Sequence, residues 1–491
     1  MNPLYLILSL VIWLLLGVVI AYYARKQLGE GITEFFLANR KLSGFIAGMT
    51  YSATTYSAFM MIGLVGLTYS TGVGALGFEM TYLIYTIILL AIFAPRFWIA
   101  GKKYGYVTPS ELLAGRYNNK WVGIIAAVIC LVMLIPYASV QLMGVGYLLE
   151  GLTPSSISNM YLIGILIAAV FSGFASIWAG MKSVSWTDSF QALIMISASV
   201  ILVLFVFFHF FGSPGGFVTE ISNNHPELLK LNWDFKMFVG LSLPWAFFAI
   251  TNPQVSQRMF VSDSSKSLKR MIIYFSIFGL IYTIITTLLG LSVAGISGIS
   301  VSQPDKAMPV LLNNIPVILA LVVFIGIFAA ATSTLSSIVL TLSSLGSRDL
   351  VKGIKPKISE KLELYSGKII ILVILASCII FANLKFDLIA VLSSMASGGL
   401  LVMAPTIIGA FFWKKSTDKG AIVSMSLGGI FTASLYIAGP AYYPFGWWPS
   451  FWGLLVTVIL FISVSLITKP PEDTEEFLEE IDEGIKEHGM R

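Results

Sequence analysis

The chain has 491 residues, of which 57% are hydrophobic and only 11% charged, with a mean hydropathy of +0.87. A surface this apolar cannot be kept in water, which excludes a soluble enzyme and any division into separate soluble domains. The net charge of +5 would suit an anionic partner such as nucleic acid, but the placement of the basic residues explains it differently.

A transmembrane helix needs roughly 20 apolar residues. Thirteen such stretches are predicted, near 4–23, 44–70, 76–98, 121–149, 157–181, 186–212, 236–253, 271–295, 309–345, 367–383, 387–413, 420–438 and 446–468. The expected fold is an all-α polytopic membrane protein of about 13 spans. The first stretch has no basic residue before it and Arg25 and Lys26 just after it, so it reads as a retained span with the N-terminus outside. In that orientation the cytoplasmic segments and tail hold all of the 30 Lys and Arg residues except Lys230, Lys236, Lys306 and Lys385. The asymmetry follows the positive-inside rule at every pair of loops.

Two spans carry runs that a lipid-facing helix would not favour: MTYSATTYSAFMMIG at 49–63 in span 2 and WAFFAITNPQVSQ at 245–257 in span 7. Interrupted helices at corresponding places in two halves point to a substrate site, because freed carbonyls and half-helix ends can coordinate ions and solute. Spans 2 and 7 would be the equivalent first helices of a five-plus-five repeat over spans 2–6 and 7–11. For either run alone, back-bonding by Ser and Thr and a simple stop at Pro253 explain the pattern as well.

Glu79 in span 3 and Asp188 near the start of span 6 are the acidic residues placed well inside spans. With no Lys or Arg assigned to the membrane interior, an ionised carboxylate there has a bound cation, a proton or the substrate as its partner. A helix cap is the alternative for Asp188, and a protonated, hydrogen-bonded state the alternative for Glu79. In span 9, FAAATSTLSSIVLTLSSLGSRDL crowds the hydroxyls of Ser333, Thr334, Ser336, Ser337 and Thr341 into little more than two turns. Sodium, a hard cation, prefers such oxygen ligands, and Ser333 lies on one side of the helix with Ser336 and Ser337. Helix packing by small and hydroxyl residues is the competing explanation.

Cys130 and Cys378 fall in apolar spans as packing residues, and His209, His225 and His488 are too scattered for a metal cluster. The basic loop at 346–366 and the acidic tail at 470–491 read as solvated cytoplasmic segments, and 213–235 as the long external loop. Phe477, Leu478, Ile481 and Ile485 form an apolar stripe that either docks on the cytoplasmic face or frays. Residues 1–469 then form the transport domain, with its repeat core at about 44–413.

Four stretches in order, SATTYSAFMMIGLVG, SIWAGMKSVSWTDSFQ, AAATSTLSSIVLTLSSLGSRDL and APTIIGAFFWKKSTDKGA, resemble the sodium/solute symporter family, which includes proline, pantothenate, monocarboxylate, sialic acid and sugar symporters. The resemblance covers nearly the whole chain. It implies a thirteen-span arrangement with an inverted-repeat core of the leucine-transporter type. A first sodium site is implied at Ala53, Tyr56, Ala330, Ser333 and Thr334, and a second at Asp188 with Ser333, Ser336 and Ser337. Thr55, Glu79, Trp245 and Asn252 match substrate-lining positions. Proline symporters carry Asp where this chain has Thr55, and the family's paired glycines before the span 6 motif are here Ala179 and Gly180.

The implied activity is sodium-coupled symport of a small organic solute into the cell by alternating access. The solute would be an amino acid such as proline or an organic carboxylate such as pantothenate; a proton-coupled or sugar symporter of the same fold is the alternative. Sodium is a co-transported ion rather than a prosthetic group. The expected partners are solute, sodium and the bilayer of the cell (inner) membrane, with no nucleic acid, no obligatory protein partner and no enzymatic activity.

Overall fold

The structure, a computed structural model, describes residues 2–26, 29, 31–154 and 156–490, with residue 179 described in its backbone only. It is all-helical; among the described residues the one extended pairing is an isolated bridge between Leu42 and Ser262. Among the described residues eleven helices are long and apolar enough to cross a membrane. They are α1 (Pro3–Lys26), α4 (Gly74–Tyr104), α5 (Lys120–Leu152), α6 (Met160–Trp178), α7 (Gly180–Phe210), α9 (Ser265–Gly295), α10 (Val317–Lys352), α11 (Glu360–Leu384), α12 (Ile389–Phe412), α13 (Asp418–Ala438) and α14 (Pro449–Ile467). Between them lie the interrupted segments: α2 (Gly44–Thr55) with α3 (Phe59–Thr71), and α8 (Phe235–Ala246) with the short turns that follow it. A last helix, α15 (Thr474–Glu487), ends the described chain.

Burial separates core from periphery. The most apolar stretches of α1, α13 and α14 are less than a third buried, whereas those of α10 and α12 are 67% and 83% buried. Ala329, Ala330 and Ala331 are wholly inside, and Gly326 lets α10 approach Ala198 of α7 closely. A helix buried on all sides can carry hydroxyls at no cost only when neighbouring groups accept their hydrogen bonds. The runs flagged in spans 2 and 9 supply one another in this way.

The interruptions have local causes. After Thr55 the amide of Ala58 donates to Gln141 Oε1 (3.1 Å) and that of Phe59 to Ser57 Oγ (3.2 Å). Those two donors are therefore not committed to the carbonyls of Thr54 and Thr55. The chain resumes in α3 with a π-helical stretch, Phe59–Leu64. In the other segment Pro253 supplies no N–H, and Asn252 before it is extended (φ −93°, ψ 107°). The helix then restarts as Pro253–Ser256 and a 3₁₀ turn, Gln257–Phe260.

The structure moves several expected boundaries. The fifth and sixth spans are almost continuous, broken only at Gly180 (φ 59°, ψ −152°), where a Cβ would lie 2.3 Å from the Phe35 carbonyl oxygen. Asp188 is therefore eight residues inside α7, about 12 Å along its axis, too deep to be an N-terminal cap. The ninth span starts at Val317 rather than near 309, because the chain turns at Pro316 after a separate short helix, Ala307–Asn313. The 213–235 stretch contains a helix, Pro214–Asn224, capped by Ser213 Oγ.

The 346–366 segment is not simply a solvated loop. α10 continues through it to Lys352, and Arg348 pairs with Glu111 (2.5 Å) and with buried Glu363 (3.2 Å). The tail is not wholly solvated either. Phe477, Ile481 and Ile485 of α15 are buried, with Leu478 partly so, because Phe477 stacks on Tyr104 and Gly484 sits against Ile99 of α4. Lys103 pairs with Glu480 at 2.7 Å, and Lys269 Nζ donates to the Gly489 carbonyl at 2.7 Å.

Candidate functional site

The end of α2 meets the middle of α10. Ser333 Oγ donates to the Ala53 carbonyl at 2.9 Å and Thr334 Oγ1 donates to the same oxygen at 3.0 Å. Ser333 also reaches the Ala330 carbonyl (3.1 Å) and Thr334 the Thr54 carbonyl (3.3 Å). All of these residues are buried. Each hydroxyl spends its single proton on carbonyls and keeps its lone pairs for another partner. Tyr56 follows directly in an extended conformation (φ −93°, ψ 93°), its ring stacked on Phe275. Ala53, Ala330, Ser333 and Thr334 are thus brought together, with Tyr56 at the helix end beside them. Carbonyl and hydroxyl oxygens without a fixed charge suit a weakly bound monovalent cation.

About one turn further along α10 lies a charged cluster. Asp188 Oδ2 accepts from Thr50 Oγ1 (2.6 Å) and from Ser337 Oγ (3.4 Å), while Oδ1 has no hydrogen-bond partner. Thr54 Oγ1 donates to Ser337 Oγ at 2.9 Å. Ser336 takes a different part: its carbonyl accepts from Ser176 Oγ (3.1 Å). The expectation that no basic side chain reaches Asp188 is wrong. Arg258, fully buried, places Nη2 3.6 Å from Asp188 Oδ2 and donates to Ser337 Oγ at 2.5 Å. The apolar run stops at Pro253, which by hydropathy alone puts Arg258 in a loop; the restarted helix carries it back inside. The flanking Met259, Phe260 and Val261, all buried, are the signal that would have placed it there.

The substrate candidates lie at the two breaks and on the helices that face them. Glu79 is fully buried on α4, and neither carboxylate oxygen has a hydrogen-bond partner. It stands one turn before Tyr82 on the same helix, and both are buried. Trp245 donates to Ser394 Oγ at 2.8 Å and stacks between Phe59 (5.2 Å) and Phe248 (5.1 Å), with Tyr82 edge-on at 5.1 Å. Glu79 and Trp245 therefore share one aromatic shell through Tyr82. Thr55 is buried with its hydroxyl unpartnered, immediately before Tyr56. Asn252 sits at the second break, its Oδ1 accepting from Thr251 (3.2 Å) and its Nδ2 unpartnered. The sequence reading does not single out Thr50 within the polar run at 49–63, nor Gln141 and Ser394, polar residues within runs that look like ordinary span interiors.

Residues 35–428 match the sodium:solute symporter family. The chain belongs to that family. The pantothenate symporter of Escherichia coli is 28% identical over 475 residues, covering 93% of this chain and 95% of that one. That of Haemophilus influenzae is 27% identical over 440 residues (86% and 88%), and a high-affinity proline transporter of Bacillus subtilis 26% over 472 residues (93% and 98%). Among solved structures, a sodium-coupled sialic acid symporter in a substrate-bound outward-open state superposes with a TM-score of 0.78 at 19% identity, covering 96% of this chain and 98% of that one. Mhp1, a nucleobase-cation-symport-1 family transporter in a closed conformation, gives 0.57 at 11% identity, with 91% and 98% covered. The fold is that of the leucine-transporter type of sodium symporter. Membership of the symporter family makes the chain a multi-pass membrane transporter that couples solute movement to sodium.

Proposed function

We propose that this symporter carries a small organic solute into the cell, an amino acid such as proline or an organic carboxylate such as pantothenate. The relatives above transport molecules of these two kinds. Sodium binds from outside among the carbonyls of Ala53, Tyr56 and Ala330 and the hydroxyls of Ser333 and Thr334. The solute binds between the breaks in α2–α3 and after α8, against Thr55, Glu79, Trp245 and Asn252. The convergence of the Ser333 and Thr334 hydroxyls on the Ala53 carbonyl carries this reading.

Counting the two interrupted segments with the eleven long helices makes thirteen spans, and their breaks are the equivalent first helices of a five-plus-five inverted repeat over about 44–413. The N-terminus faces outside and the 470–491 tail the cytoplasm, across the cell (inner) membrane. Sodium and solute favour the same outward-facing state, which couples their movement as the core rocks between its two openings. A second sodium would add about 2.3 kcal/mol per 100 mV of membrane potential to the driving force.

The test is thermal stabilisation of the purified full-length protein by amino acids, carboxylates, pantothenate and sugars, in sodium and in potassium. A solute that stabilises only with sodium supports the reading. Equal stabilisation in both salts, with uptake that follows pH, would replace sodium by a proton.

A further inference from the structure

We propose that Arg258 is a built-in cation that fills the Asp188–Ser337 cluster, so that the transporter binds one sodium ion per chain, at the Ala53 site, and not two. The inference rests on the sodium reading above and deepens it.

Three observations carry it. First, charge: Asp188 and Arg258 are 1% and 0% exposed and face each other at 3.6 Å, so the carboxylate already has a cation inside the protein. A sodium ion added there would stand beside a buried guanidinium, a like charge with no solvent to screen it. Second, the hydroxyl that would have to bind the ion is used up. Ser337 Oγ gives its one proton to Asp188 and accepts from both Thr54 Oγ1 and Arg258 Nη2. A hydroxyl has one proton and two lone pairs, and all three are committed.

Third, the guanidinium is held in place. Its Nε donates to Thr50 Oγ1 at 3.3 Å, its Nη1 to the Gln254 carbonyl, and Thr50 in turn donates to Asp188. Arg258 thus ties the helix restarted after Asn252 to α2, α7 and α10. A fork held by three acceptors from three elements is a built site. Within the Asp188–Ser337 pair, Asp188 Oδ1 is the one oxygen left unpartnered. A single oxygen does not make a sodium site.

The experiment is equilibrium binding of radioactive sodium to the purified full-length protein, which needs no knowledge of the solute. One ion per chain is expected. Arg258→Met keeps the reach of the side chain without its charge, leaves Asp188 uncompensated and frees a lone pair on Ser337; binding should rise to two ions. Arg258→Met with Asp188→Asn should return it to one, and Arg258→Lys should stay at one. Two ions in the unaltered protein would overturn the proposal, as would one ion in a folded Arg258→Met. If Arg258→Met does not fold, the neutral double variant decides: sodium stoichiometry and affinity equal to the parent's support the proposal, and the loss of an ion refutes it. A parent protein that binds no sodium would sink the sodium reading itself, a result distinct from these.

Discussion

Thr334→Val tests the sodium site most directly. The substitution keeps the shape of the side chain and removes the hydroxyl that donates to the Ala53 carbonyl at 3.0 Å and the Thr54 carbonyl at 3.3 Å. Its effect on the fold is small, because Ala53 keeps the Ser333 hydroxyl and a typical hydrogen bond contributes about 1 kcal/mol net. In a chain this long that lowers the melting temperature by only about 1–2 °C. The effect on sodium is larger, since an oxygen facing a full charge is worth about 1.5–3 kcal/mol. At about 1.4 kcal/mol per tenfold, the affinity should fall by about ten- to a hundredfold. The assay is the rise in melting temperature as sodium replaces potassium at constant ionic strength, its midpoint read for both proteins. Thr286→Val is the control, because Thr286 Oγ1 only back-bonds to Tyr282 and Thr283 within α9. A midpoint unchanged in Thr334→Val, or shifted equally in Thr286→Val, would refute the placement of the ion.

Three further perturbations probe the rest of the molecule. Glu79→Gln neutralises a buried carboxylate that has no hydrogen-bond partner; the melting temperature should hold or rise, while solute-dependent stabilisation falls at least about tenfold in apparent affinity. Unchanged solute affinity would remove Glu79 from the site. Gly180→Ala forces a Cβ against the Phe35 carbonyl at positive φ and should destabilise by about 2 kcal/mol or more; an unaltered melting temperature would mean the kink relaxes freely. In the tail, the Lys103 ammonium and Tyr104 hydroxyl hold the Glu480 carboxyl below its ordinary value of 4.5. A depressed folded value means the contact is fully present above pH 4.5 and is lost as pH falls through that lower value. The protection factors of the α15 amides should therefore fall in acid, and Ile481→Ala should release the helix at neutral pH; protection that ignores both would show that the tail is held by other contacts.

What was legible in the sequence follows from what a linear pattern encodes. Apolar length gave the long helices, since each must satisfy its own backbone in lipid. The breaks at Tyr56 and Asn252 were legible because Ser, Thr, Asn and Pro cluster only where a helix in lipid can afford them, beside a protein interior. Ser333 and Thr334 were legible from spacing, because positions three and four apart share a helix face. Boundaries were not: the sixth span starts at Gly180, and only the three-dimensional meeting of Gly180 with Phe35 makes that kink necessary. That shift of half a dozen residues turned Asp188 from a candidate cap into a buried charge.

Arg258 shows why the remainder was hidden. By hydropathy the span ends where its apolar run ends, at Pro253, and a basic residue five positions later falls among the cytoplasmic charges. Yet the segment restarts as a helix within the protein, where hydropathy no longer measures burial, and the guanidinium meets its acceptors on α2, α7 and α10, up to 208 residues away in sequence. Positive-inside counting treats Lys and Arg as labels of topology, and for most of the chain that is sound. It fails where a broken span turns inward, because a buried arginine beside a carboxylate is then part of the ion chemistry. The same break that frees carbonyls for sodium thus brings in a competing cation, and the number of ions carried depends on which of the two Asp188 holds.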